Sequence, residues 1–165
     1  MFAKLHLCFA IFIFCDIITM ENFVDKFFEH IKDNNFLTRA QTDDRNPLVF
    51  AFVGDAVFSL FVRTYLADLS TAKAGVLHIQ TSKFVRASYQ KKLLELLENL
   101  TDEELQVITS ARNAKTNNVA KNSNLEEYKK STSFEALIGY LYLTNQFDRL
   151  KQILDICKAE MEKDL

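Results

Sequence analysis

The chain has 165 residues, enough for one domain with a substantial hydrophobic core. Its three glycines and one proline are too few for the turns of a sheet protein, so the composition predicts an all-α fold. A formal net charge of −2 excludes a general polyanion binder, so any surface for nucleic acid must be locally basic.

The first 19 residues, "MFAKLHLCFAIFIFCDIIT", are apolar but too short to span a bilayer comfortably, and no small-x-small cleavage site follows them. They are either a signal-like leader or a start-site artefact. We favour the artefact because Met20 opens an amphipathic helix. Residues 20–44 comprise this helix and the linker that follows it. The cysteines have neither disulfide nor metal-ligand spacing, so we expect a reducing cytoplasm and no membrane partner.

From residue 45 onward the pattern predicts helices separated by short polar breaks. Pro47 suits a first helical turn, and Thr101 with Glu104 forms a capping-box signature. A polar segment, "ARNAKTNNVAKNSNLEEYKK", occupies residues 111–130 between predicted helices. The predicted helices cover about 47–67, 76–100 (as one or two), 101–112, 131–145 and 147–165.

Two of these helices carry a carboxylate inside an otherwise apolar run. Asp55 lies in "FAFVGDAVFSLFV" and Glu135 in "FEALIGYLYL", and both helices are apolar nearly all round. That pattern predicts that both acids lie in the centre of the fold. A buried carboxylate costs several kcal/mol unless a cation or strong donors meet it.

The glycines next to these acids predict close contact between the two helices. Gly54 precedes Asp55 and Gly139 lies one turn after Glu135, and a glycine inside a helix costs up to about 1 kcal/mol relative to alanine. Two such helices in contact would bring the acids together, where a divalent cation such as Mg²⁺ would stabilise them. The residue types alone leave a second interpretation open, in which each acid is an internal hydrogen-bond acceptor or a partner of Arg63.

The same motifs resemble a known family. "VGDAVFSLFVRTYL" resembles the "GDAV" signature helix of ribonuclease III, and "SFEALIGYLYL" resembles its "EALIG" helix. Together with "ARNAK" between them, the motifs follow the order and spacing of the short bacterial branch, Mini-ribonuclease III, over about residues 45 to 155.

This resemblance implies that residues 45–165 form an all-α endonuclease domain that acts as a homodimer on double-stranded RNA with Mg²⁺. Asp55 and Glu135 match the family's metal-binding catalytic carboxylates. The resemblance also implies a role in maturation of the large-subunit ribosomal RNA precursor.

The chain departs from full-length ribonuclease III at two acidic positions. Ala51 and Thr132 stand where the longer enzymes carry further acids, which fits the short branch but leaves the number of metal ions open. We see no double-stranded-RNA-binding domain after the catalytic domain, so we expect the catalytic domain to hold RNA by itself.

Basic residues and amides give two candidate RNA-binding segments, because A-form RNA is gripped through its phosphates and 2′-hydroxyls. A solvated polar loop and a solvated helix face are the alternative interpretations. The RNA-binding candidates are Arg112, Asn113, Lys115 and Lys121 in the first segment, and Lys83 and Arg86, with Lys91 and Lys92 nearby, in the second.

Three functions of different classes therefore remain. The favoured one is a metal-dependent endoribonuclease specific for double strands. The others are an inactive RNA-binding scaffold of the same fold and a helical dimerisation module. The scaffold would be expected to lose one of the two carboxylates, whereas this chain keeps both.

Overall fold

The structure, a computed structural model, describes residues 45–114 and 125–165. These two stretches are helical and contain no strand, which confirms the predicted all-α class. The predicted leader, the helix and linker of residues 20–44, Lys115 and Lys121 lie outside the described residues. The helices are α1 Pro47–Leu69, α2 Ala74–Val85, α3 Ala87–Leu96, α4 Asp102–Asn113, α5 Leu125–Leu143 and α6 Phe147–Lys163.

Several helix ends follow from local chemistry. Asn46 caps α1 by accepting a hydrogen bond from the Leu48 N–H at 3.0 Å, and Pro47 occupies the first turn as predicted. The predicted region 76–100 forms two helices rather than one, because Arg86 between them has extended backbone angles.

The start of α5 corrects the predicted boundary. The helix begins at Leu125 rather than at the predicted Ser131, so "LEEYKK" is helical. Glu126 and Glu127 lie in the first turn, where negative charge is favourable to the helix dipole. Glu126 also pairs with Lys130 one turn later, at 3.3 Å. These interactions extend the helix toward its N-terminus, beyond its apolar part.

The predicted capping box at the start of α4 is present and is tied to α6. The Thr101 N–H donates to Glu104 Oε2 at 2.9 Å, and the Glu104 N–H donates to Thr101 Oγ1 at 3.2 Å. Arg149 Nε donates to the buried Glu104 carboxylate at 2.7 Å. Burial alone would raise the pKa of Glu104, but the Arg149 and Thr101 hydrogen bonds hold it below its usual value.

Helix α5 is the centre of the described fold and packs against α1, α3, α4 and α6. Every residue from 131 to 141 is buried except Glu135, which is half-buried. Phe134 meets Phe58 of α1 edge to face, with ring centroids 5.0 Å apart, and neither ring is exposed. The predicted central position therefore holds for the helix that carries Glu135.

Helix α1 does not share that position on all its sides, so the prediction that Asp55 lies in the centre of the fold was wrong. Asp55 is exposed, and so are two large apolar residues of α1, Phe52 at 79% and Leu60. An apolar pattern all round a helix does not distinguish the core from an exposed apolar face. α1 is also long and apolar enough to cross a membrane by length and composition, a criterion that core helices meet as well.

Candidate active site

Two glycines bring α1 and α5 into backbone contact, as the sequence predicts. A Cβ atom added to Gly54 would lie 1.8 Å from the backbone oxygen of Glu135. One added to Gly139 would lie 2.0 Å from the backbone oxygen of Phe50. Because Gly54 precedes Asp55, this contact places the two acidic residues next to each other across the helix pair.

Asp55 and Glu135 line one open cleft of about 430 Å³ between α1, α5 and the α2–α3 junction. The structure thus brings together the two residues that the sequence singles out. The other polar side chains that line this cleft are Gln90, Tyr128, Ser131 and Thr132.

The electrostatics of the cleft favour a cation. The pKa of Glu135 is raised to about 7, first because the carboxyl group is desolvated and second because the negative charge of Asp55 lies nearby. The Gln90 amide acts in the opposite direction and lowers this pKa. A positive ion between the two acids would reverse both unfavourable effects and keep Glu135 ionised.

The alternative in which Arg63 neutralises Asp55 is excluded by the geometry. Arg63 Nη1 donates to Ser59 Oγ at 2.6 Å, and no ion pair between Arg63 and Asp55 is found among the described residues. Among residues 45–114 and 125–165, no lysine, arginine or histidine forms an ion pair with Asp55 or Glu135. The described side chains therefore leave both carboxylates without a cationic partner, and a cation from solvent can take that place.

The donor set of the cleft fits Mg²⁺. Ala51 and Thr132, which stand where the resemblance to full-length ribonuclease III implies further acids, both line the cleft and supply no carboxylate. Within the described part of the chain, no group of three or more histidine, cysteine, aspartate or glutamate residues could hold a metal. Mg²⁺ needs only one or two protein carboxylates, because waters and phosphate oxygens complete its octahedral shell.

The predicted RNA-binding residues differ in their surroundings. Arg112 and Asn113 are exposed at the end of α4, and Arg86 is exposed between α2 and α3. Lys83 instead donates to the backbone oxygen of Asp164 at the end of the chain. Arg86 is thus freer to meet RNA than Lys83.

The two neighbouring lysines of the second segment are also engaged with acids. Lys91 lies 3.5 Å from Glu126, and Lys92 lies 2.8 Å from Glu160 and 3.1 Å from Asp164. The Lys91–Glu126 pair is exposed on its acidic side and holds Lys91 only weakly, whereas buried Glu160 holds Lys92 more firmly.

Sequence reasoning missed Gln90. The residue is 1% exposed, and its amide oxygen has no hydrogen-bond partner among the described residues. The signal in the sequence is faint, since one glutamine in "ASYQKKLLELL" resembles any polar position of an amphipathic helix.

Known proteins have sequences similar to this chain. Residues 48–146 match the Ribonuclease III domain family. A Mini-ribonuclease 3 from Thermoanaerobacter is 36% identical over 134 residues, which span 81% of this chain and 94% of that protein. A Mini-ribonuclease 3 from Staphylococcus aureus is 42% identical over 113 residues, spanning 67% of this chain and 84% of the relative.

The fold has a solved counterpart as well. A crystal structure of a protein from Fusobacterium nucleatum superposes with a TM-score of 0.64 and 27% sequence identity, and the match covers 75% of this chain and 98% of that one. The family match spans both cleft acids, Asp55 and Glu135. The chain therefore belongs to the ribonuclease III family, in its Mini-ribonuclease III branch.

Proposed function

We propose that this protein is a Mg²⁺-dependent endoribonuclease that hydrolyses phosphodiester bonds in double-stranded RNA. The observation that carries the proposal is the open cleft in which Asp55 and Glu135 meet without a cationic side chain from the described residues. The names of the relatives, each a Mini-ribonuclease 3, support the same activity.

The two acids have different surroundings, which suits this chemistry. Asp55 is exposed and can meet an ion or a phosphate from solvent, whereas half-buried Glu135 is held by the central helix α5. Both would bind Mg²⁺ through ionised carboxylates, which the raised pKa of Glu135 makes dependent on pH. The bound ion would stabilise charge on the phosphate and make a coordinated water more acidic.

The experiment that tests this proposal is incubation of the protein with a long RNA duplex in Mg²⁺ and in EDTA, beside single-stranded RNA of the same sequence. We expect cuts within the duplex in Mg²⁺ only, and little or no cutting of the single strand. Binding of the duplex without cleavage would instead indicate an RNA-binding scaffold. Neither binding nor cleavage would leave the dimerisation module as the remaining function.

RNA must bind a locally basic part of the surface, because the chain is slightly acidic overall. We assign it to Arg112 and Asn113 at the end of α4, with Lys115 and Lys121 in the following segment. Arg86, with Lys83, is the second contact region. The natural substrate that the branch implies is the large-subunit ribosomal RNA precursor, processed in the cytoplasm.

We further assign the exposed apolar face of α1 to a homodimer. Val49, Phe52 and Leu60 are all exposed large apolar residues on this helix. Such a contiguous apolar face on one protein surface is typical of an interaction site. A two-fold symmetric contact would cover the face on both copies and double the basic surface available to one duplex.

Phe52→Lys is expected to convert the dimer to a monomer, because the charge would be buried without a partner in the interface. Sedimentation velocity or light scattering at matched concentration measures the change. Ile79→Lys is the matched control, since Ile79 is 71% exposed but belongs to α2 rather than to the α1 face. A Phe52→Lys protein that remains dimeric would place the interface elsewhere.

A further inference from the structure

Gln90 is a buried amide whose oxygen has no hydrogen-bond partner among the described residues. It lies in α3, the residue is 1% exposed, and Oε1 lacks a hydrogen bond to described residues, whereas the amide N–H acts on Glu135 and lowers the pKa of that carboxyl group. An unpaired buried polar group costs about 1–3 kcal/mol, so native proteins rarely keep one without a use.

The free amide faces the acidic cleft. Gln90 lines the cleft beside Asp55 and Glu135, and its amide lies close enough to Glu135 to lower the pKa of that carboxyl group. The Gln90 side chain is therefore part of the cleft lining around the two carboxylates.

The serine and threonine hydroxyl groups that line the cleft have no proton to offer this amide. Ser131 Oγ and Thr132 Oγ1 both donate to the backbone oxygen of Tyr128, each at 2.9 Å. The Gln90 amide oxygen is thus a free acceptor beside a site that attracts cations. Mg²⁺ retains several waters when it binds proteins, and these polarised waters need acceptors for their protons.

We propose that Gln90 is a positioning residue whose amide oxygen accepts a hydrogen bond from the hydration shell of the cation held by Asp55 and Glu135. This inference rests on the proposed function, because it needs a divalent cation at that site. It makes α3 the third helix of the metal site, after α1 and α5. Removing a residue that hydrogen-bonds to the ligands or waters around a metal, without touching the metal itself, typically lowers metal affinity by about 10–100-fold.

The test is Mg²⁺ binding to the RNA-free protein, measured by calorimetry, for wild type and Gln90→Met. Methionine has similar length without the amide, so the metal-free fold should be as stable as wild type or more so. We expect Mg²⁺ affinity to fall by about 10-fold and the Mg²⁺-induced rise in melting temperature to shrink. Excess Mg²⁺ should restore cleavage in the variant.

Gln80→Met is the matched control. Gln80 also has a buried amide oxygen without a partner among the described residues, but it does not line the cleft. We expect its substitution to leave Mg²⁺ affinity unchanged.

Two results would overturn the role of Gln90 and leave the proposed function standing. One is wild-type Mg²⁺ affinity in Gln90→Met with normal cleavage, and the other is wild-type affinity with a cleavage defect that Mg²⁺ does not restore. The second result would mean that the amide contacts RNA. A wild-type protein that binds no Mg²⁺ yet cuts duplex RNA would overturn the metal site itself.

Discussion

The Glu135→Gln protein is expected to bind duplex RNA as wild type does and to cut it about 10³-fold more slowly. Glutamine keeps the shape of the side chain but removes the negative charge, so Asp55 alone faces the cation in the cleft. Loss of a metal's charge stabilisation costs several kcal/mol in the transition state, and each 1.36 kcal/mol is tenfold in rate.

Single-turnover cleavage at saturating RNA and matched Mg²⁺ separates this effect from binding. Glu127→Gln is the control, because Glu127 lies on the same helix but does not line the cleft. We expect wild-type rates from it. Equal rates in Glu135→Gln and wild type would show that Glu135 does not hold the ion.

The stability of Glu135→Gln shows whether its slower cleavage comes from lost catalysis or from unfolding. Because folding raises the pKa of Glu135 from 4.5 to about 7, its charge opposes folding, and this cost is complete only above that pH. Below about pH 4.5 the carboxyl group is neutral in both states and the cost disappears. In EDTA at pH 8, Glu135→Gln should therefore melt no lower than wild type, and the difference should vanish in acid.

The sequence predicted the pairing of α1 and α5 because its signals there are local and strong. A charged residue and a glycine inside each apolar run both point to a close helix contact, and Gly54 and Gly139 make it. The exposure of Asp55 could not be predicted in the same way. The apolar residues around it fit an interface between chains as well as a core, and only the packing of α1 distinguishes the two.

Other features depend on spatial neighbours that no single segment contains. The isolation of the Gln90 amide results from α3 meeting the cleft between α1 and α5. The bond from Arg149 to Glu104 joins residues 45 positions apart. The Thr101 capping box, by contrast, lies within four residues and was predicted correctly.

Gly54→Ala is expected to destabilise the protein by at least about 3 kcal/mol, or to prevent folding altogether. The added methyl group would lie 1.8 Å from the Glu135 backbone oxygen and 2.7 Å from the Gly139 backbone nitrogen. Both atoms belong to the central helix, so no flexible side chain can move aside. The helices would have to separate, which would expose the Phe58–Phe134 contact to water.

Urea unfolding of wild type, Gly54→Ala and Gly75→Ala measures this effect directly. Gly75 is the matched control because it lies in the first turn of α2 and a Cβ atom there would meet nothing within 4 Å. Alanine at Gly75 should be neutral or slightly stabilising, since it restricts the unfolded chain.

Separation of α1 from α5 would also pull Asp55 away from Glu135, so any folded Gly54→Ala protein should gain less stability from Mg²⁺ than wild type. A Gly54→Ala protein with wild-type stability and Mg²⁺ response would show that the two helices do not meet backbone to backbone, and the shared cleft would lose its structural basis.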